Sequence, residues 1–73
     1  MKITIENTDK FVELNGVPAR IWEGHTESGI PVHCFVTRIG VHKDEDCTQF
    51  EQELQECRQA SPEVRAYDPR LVL

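Results

Sequence analysis

Apolar and polar residues alternate in the first half of the chain and recur at helical spacing in the second, so the pattern divides the molecule in two. Residues 2–6 (KITIE) alternate strictly, with Ile3 and Ile5 on one side. After the polar turn Asn7-Thr8-Asp9, FVEL runs into Asn15-Gly16, a dipeptide suited to the positive φ angles of a type I′ hairpin. A two-residue loop there pairs Leu14 with Val17, Val12 with Ala19 and Phe11 with Arg20. One face of the hairpin then carries Val12, Leu14, Val17, Ala19 and Ile21, and the other Phe11, Glu13, Pro18, Arg20 and Trp22. Pro18 has no amide donor, which places the start of its strand at an edge or bulge. The turn Glu27-Ser28-Gly29 leads into IPVHCFVTRIGV, rich in β-branched and aromatic residues and apolar at both parities, as expected of a central strand covered on both faces.

From Asp44 the period changes. Cys47, Phe50, Leu54 and Cys57 recur at three- and four-residue steps, with Glu51, Gln52, Glu53, Gln55 and Glu56 between them, which predicts a helix over 44–60 with those four on its buried stripe. Asp44, Glu45 and Asp46 suit its cap and its positive dipole end, and Thr48 with Glu51 offers a second capping box. Ser61-Pro62 is expected to end the helix. Residues 61–73 then form a short tail whose Tyr67, Leu71 and Leu73 dock on the domain or on a partner. The predicted fold is α+β: a four-stranded, mostly antiparallel sheet of hairpins over 1–43, with one C-terminal helix packed on the face holding Val12, Leu14, Val17, Ala19 and Ile21.

At 73 residues this is a single small domain whose core supplies roughly 3 to 5 kcal/mol. A partner protein or a second copy of the chain would add to that. Eight Lys and Arg against 13 Asp and Glu leave a formal charge of −5, which works against a surface that must displace counterions from phosphates and makes nucleic acid a poor first expectation. No apolar run is long enough to cross a bilayer, and MKITIENTDK lacks the basic and hydrophobic blocks of a leader. The three cysteines form no CxxC pair, and an odd count suits a reducing cytoplasm.

The stretch HTESGIPVHC raises the question of a metal site. Loops of two or four residues send His25 and His33 to opposite faces, and only the three-residue loop Glu27-Ser28-Gly29 puts them on one. His33 and Cys34 are consecutive in a strand and diverge in every register. The other candidates, His42, Cys47 and Cys57, match no familiar zinc spacing, so neither a metal nor a cofactor is expected. Cys47 and Cys57 on the helix stripe and Cys34 on an apolar strand face are expected to act as small core hydrophobes, remote from any activating base. Cys34 with His25 or His42 is the only nucleophilic pairing to consider, and it is weak. No phosphate-cradling glycine loop is present, and no enzymatic activity is expected.

What remains is surface. With the helix on the other face, Phe11, Arg20 and Trp22 gather on the open one, joined by Phe35 and His33 if the second loop has an even length. Aromatics with an arginine on a rigid sheet have the composition of a binding hot spot. The acidic helix exterior, including Glu51, Glu53 and Glu56, is a second candidate surface, able to occupy a basic groove on a nucleic-acid-handling protein.

The segment ELNGVPARIWEGHTESGIPVHCFVTRI and the DEDCTQFEQEL helix after it resemble small uncharacterised proteins encoded by bacteriophages and prophages, over most of the chain. The likeness is one of general pattern, with no motif whose chemistry carries over. It implies a bacterial cytoplasm and a protein that binds a host or phage protein, as inhibitors of host defence do. The expectation is therefore a non-enzymatic interaction module working through Phe11, Arg20, Trp22 and Phe35 or through Glu51, Glu53 and Glu56. The alternatives are a nucleic-acid accessory protein using Arg20, Arg38, His42 and Lys43 with Trp22 and Phe35 as stacking groups, or a small structural homo-oligomer such as a homodimer.

Overall fold

The computed structural model describes residues 1–66, so the expected docking of Tyr67, Leu71 and Leu73 lies outside the described residues. The fold is α+β. Strands β1 (Ile3–Leu14), β2 (Val17–Thr26) and β3 (Pro31–Val36) form an antiparallel meander in the order β1-β2-β3, followed by helices α1 (Cys47–Gln55) and α2 (Pro62–Arg65). Asn15 and Gly16 both take positive φ, 51° and 82°, as a type I′ turn requires. The hairpin pairs Leu14 with Val17, Val12 with Ala19 and Phe11 with Arg20, as expected.

Among the described residues three strands stand where four were expected, because residues 2–6 and 11–14 belong to one continuous strand. The break read at Asn7-Thr8-Asp9 is a bulge. Asn7 pairs with Trp22 and Phe11 with Arg20, so residues 8, 9 and 10 face the single residue Ile21. Thr8, fully buried, closes the gap: its hydroxyl donates to the Ile21 carbonyl at 2.6 Å and accepts from the Lys10 N–H at 3.3 Å. A side chain thus replaces the missing ladder bond, which keeps a buried carbonyl satisfied.

β3 is shorter than the expected 30–41 strand, and within the described sheet β2 is central instead. The reason lies in β2. The β2–β3 ladder ends at Arg20↔Val36, and its next bonded position would fall on Pro18, which has no N–H to give. Residues 37–41 therefore leave the sheet. Pro18 lies past the last β3 partner, at a locally open edge of β2, as its chemistry predicts.

The expected helix over 44–60 is also shorter, and it lies on the other face. Asp46 caps α1 by accepting from the N–H groups of Thr48 (2.9 Å) and Gln49 (3.4 Å). α1 buries no residue completely, and Phe50 and Leu54 meet the Phe11, Arg20 and Trp22 face of the sheet instead of the Val12 face. Cys47 and Cys57 are exposed rather than core residues, and Cys34 is half-buried. The helix ends at Gln55 because the chain must next run along β1: Arg58 donates to the Asn7 carbonyl and accepts from the Asp9 N–H, both at 3.1 Å. That bridge uses the outer edge of the bulge and carries the chain round to the opposite face.

There Ser61-Pro62 starts a helix where it was expected to end one. Ser61 is the N-cap, its hydroxyl accepting from the Val64 N–H at 3.3 Å, and Pro62 stands at the first helical position, where its missing donor costs nothing. Ala60 and Val64 close the core on Ile21, with Val12 and Phe35 packed beside them. Of the expected apolar face, Ala19 and Ile21 are buried and Val12 and Leu14 half-buried, while Val17 beside the hairpin turn is 48% exposed, and α2 with the residue before its cap covers Ile21.

Two carboxylates hold this cover down. Burial pushes the Glu23 carboxyl up, but hydrogen bonds from the Ser61 hydroxyl and N–H, with Arg58 and His33 nearby, outweigh it and leave it below the usual carboxylate range. Asp9 accepts from the Ala60 N–H at 2.9 Å and pairs with Arg65 at 3.0 Å. The Ala60 bond, against some desolvation and with help from Arg65, holds the Asp9 carboxyl low as well.

Candidate functional site

Opposed residues in an antiparallel pair share a face, so the register decides which side chains meet. Phe11↔Arg20 and Asn7↔Trp22 across β1 and β2, with Arg20↔Val36 and Trp22↔Cys34 across β2 and β3, gather Phe11, Arg20, Trp22 and Val36 on the face opposite the core. α1 lies along one side of that face. Between them runs a groove of about 310 Å³ whose walls are Phe11, Pro18, Trp22 and Val36 of the sheet, Phe50 and Leu54 of α1, and Thr37, Arg38 and Ile39 of the segment that leaves β3, with Arg20 among them.

Arg20 is the organising residue. Its guanidinium lies 5.1 Å from the Phe11 ring centroid, within cation–π range. Its Nε donates to the Thr8 carbonyl at 2.7 Å and its Nη1 to the Leu54 carbonyl at 3.1 Å. Asn7 Nδ2 donates to the same Leu54 carbonyl at 2.9 Å. Leu54 is in the last turn of α1, where carbonyls have no helical partner and where a cation suits the dipole. One arginine thus ties the bulge, the helix end and an aromatic ring together. Phe11 itself is 60% exposed.

The expected site residues divide. Phe11, Arg20 and Trp22 meet as predicted. Phe35 does not join them: the loop Glu27-Ser28-Gly29 has three residues, with Gly29 at φ 92° and Thr26 N–H bonded to the Ile30 carbonyl at 2.9 Å, so odd residues of β2 pair with odd residues of β3. Phe35 opposes Ile21 on the core face and meets His33 edge-on, centroids 5.8 Å apart. Trp22 and Phe35, the stacking groups of the nucleic-acid alternative, therefore lie on opposite faces of the sheet. Glu51, Glu53 and Glu56 are exposed. Glu53 lines a shallow recess with Val41, Glu45, Asp46, Gln49 and Phe50, while Glu56 lines another with Trp22 and Arg58.

The same loop brings His25 and His33 to one face, the one register that allows it, yet among the described residues no group of three or more His, Cys, Asp or Glu is placed to hold a metal. Cys34 opposes Trp22, on the face away from His25, which removes that thiol–imidazole pair. No helix of the described residues is long and apolar enough to cross a membrane.

Sequence reasoning missed Phe50, Leu54 and Ile39 as site residues, and named Arg38 only for the nucleic-acid alternative. The pattern puts Phe50 and Leu54 on the core stripe and Arg38 and Ile39 in a strand. The absent donor of Pro18 was the available signal that β3 must stop and release Arg38 and Ile39. In comparisons with known protein families, with curated proteins and with solved structures, the chain matches none.

Proposed function

We propose that this chain is a non-enzymatic protein-interaction module whose working surface is the groove between α1 and the Phe11–Arg20–Trp22 face. The observation that carries the proposal is the state of Phe11 and Arg20: a ring left 60% exposed beside a guanidinium held by two backbone carbonyls. A rigid aromatic–arginine pair costs little ordering entropy on association and matches the composition of binding hot spots. The phage-like pattern of the sequence favours a host protein of the bacterial cytoplasm as the partner and inhibition, for example of a defence complex, as the outcome. A nucleic-acid role is disfavoured by the net charge of −5 and by Phe35 lying on the other face.

The test is capture from bacterial host lysate on the immobilised chain, then reconstitution with the purified captured protein, for wild type and Phe11→Ala. Phe11 is exposed, so its truncation leaves the fold intact while removing the anchor. The expected result is a partner held by wild type and released by the variant. A partner whose binding is indifferent to Phe11→Ala would place the working surface elsewhere.

A further inference from the structure

We infer that the groove's occupant is an acidic segment of a partner protein, which seats one large apolar side chain between Phe11, Trp22 and Phe50 and sets a neighbouring carboxylate against Arg20 and Arg38. This rests on the interaction reading above and names its ligand class. The groove lining holds two arginines and no Asp or Glu, although acids outnumber bases 13 to 8 in the chain. Its charge is opposite to that of the molecule around it. Arg20 is half-buried and its described acceptors are both neutral carbonyls; the ion pair among the described residues is Asp9 with Arg65. A guanidinium has five N–H donors, so Arg20 retains donors for an arriving carboxylate, and such a charge-assisted bond is about twice as strong as a neutral one.

The alternatives fit less well. Groove against groove around a two-fold axis brings four arginines and no carboxylate of the lining into one interface. The acidic recess at Glu45, Asp46 and Glu53 of another copy supplies carboxylates, but its apolar members are Val41 and Phe50, and Phe50 already forms a wall of the groove. A phosphate backbone supplies nothing to cover Ile39, Phe50 and Leu54, and it must approach a molecule of charge −5.

The test is an NMR titration of the isotope-labelled full chain with three probes: acetyl-Asp-Glu-Phe-Asp-Glu-Leu-amide, the same peptide with Lys at every acidic position, and a single-stranded oligothymidylate. The acidic peptide is expected to shift the Trp22 indole N–H and Arg20 Nε–H signals, and the lysine peptide to leave them in place. Arg38→Glu, at an exposed rim position with no role in holding the fold, is expected to weaken the acidic peptide about fivefold; Arg20→Gln is less suitable because it also frees the end of α1. Binding of the lysine peptide as tightly as the acidic one, or indifference to Arg38→Glu, overturns the acidic occupant and leaves the interaction module standing. Shifts with oligothymidylate alone overturn both. Silence from all three probes at millimolar concentration overturns the occupant, and the capture experiment then decides the module.

Discussion

The Thr8 hydroxyl closes the inner side of the β1 bulge on β2, and Thr8→Val removes it with almost no change of shape. The Ile21 carbonyl then loses the donor it has at 2.6 Å, in a place where Thr8 and Ile21 are both 0% exposed and water cannot replace it. An unsatisfied buried acceptor costs about 1 to 3 kcal/mol. The Lys10 N–H loses a longer bond, 3.3 Å, but is only partly buried and can turn to water. The expected loss is therefore about 2 kcal/mol, roughly half of what a core of this size supplies, or a drop in Tm of about 8 to 16 °C. Thr8→Ser keeps the hydroxyl and forfeits one methyl group, about 0.8 kcal/mol, and so should be the milder change. Thermal and urea unfolding, followed by far-UV circular dichroism and by Trp22 fluorescence, measure both. If Thr8→Val unfolds within about 0.5 kcal/mol of wild type, or proves more stable than Thr8→Ser, the hydroxyl does not close the bulge and the account of β1 fails.

Gly24→Ala should be more damaging: a Cβ there would lie 1.7 Å from the Thr4 carbonyl oxygen and 2.7 Å from the Ile5 Cα, so the first half of β1 must leave β2. A cost above about 3 kcal/mol is expected, and a Gly24→Ala chain with wild-type amide shifts in residues 3–7 would contradict the register. Ser61→Ala removes the α2 cap and a donor to Glu23 together and should cost about 1 to 2 kcal/mol, read as a lowered urea midpoint; Ser61→Thr, which keeps the hydroxyl, should recover most of it. Acid should loosen the same cover. Glu23 and Asp9 titrate below their usual range in the folded chain, so the stability they contribute is fully present above the unfolded carboxyl value, about 4, and is lost as pH falls through the lower folded values. The urea midpoint is expected to hold between about pH 5 and 7 with respect to these groups and to fall below about pH 4. Glu23→Gln should show a lower midpoint at neutral pH and a shallower acid decline. Equal acid declines in wild type and Glu23→Gln would remove Glu23 from the account.

The features that local chemistry dictates were legible in the sequence. Asn15-Gly16 alone implies the turn type, and a two-residue loop then determines every pair from Leu14↔Val17 back to Phe11↔Arg20, because strand pairing is a matter of counting. The apolar pattern likewise picked out Val12, Leu14, Ala19 and Ile21 on the covered side, though it placed there Val17, which is exposed, and Asp46 lay in the acidic run expected to cap the helix. Phe11, Arg20 and Trp22 were placed together for the same reason. Tertiary structure decided what rests on contacts distant in sequence. Whether Asn7-Thr8-Asp9 turns or bulges depends on a hydroxyl reaching a carbonyl 13 residues away. The face of Phe35 depends on one residue of loop length, since a change of one reverses side-chain parity along the whole strand. The side taken by α1 depends on Arg20 and Asn7 reaching the Leu54 carbonyl, 34 and 47 residues apart, bonds that no period in the chain encodes. That choice leaves the core face to Ala60 and Val64 and opens the groove beside Phe11, so the site exists only once both faces have been assigned.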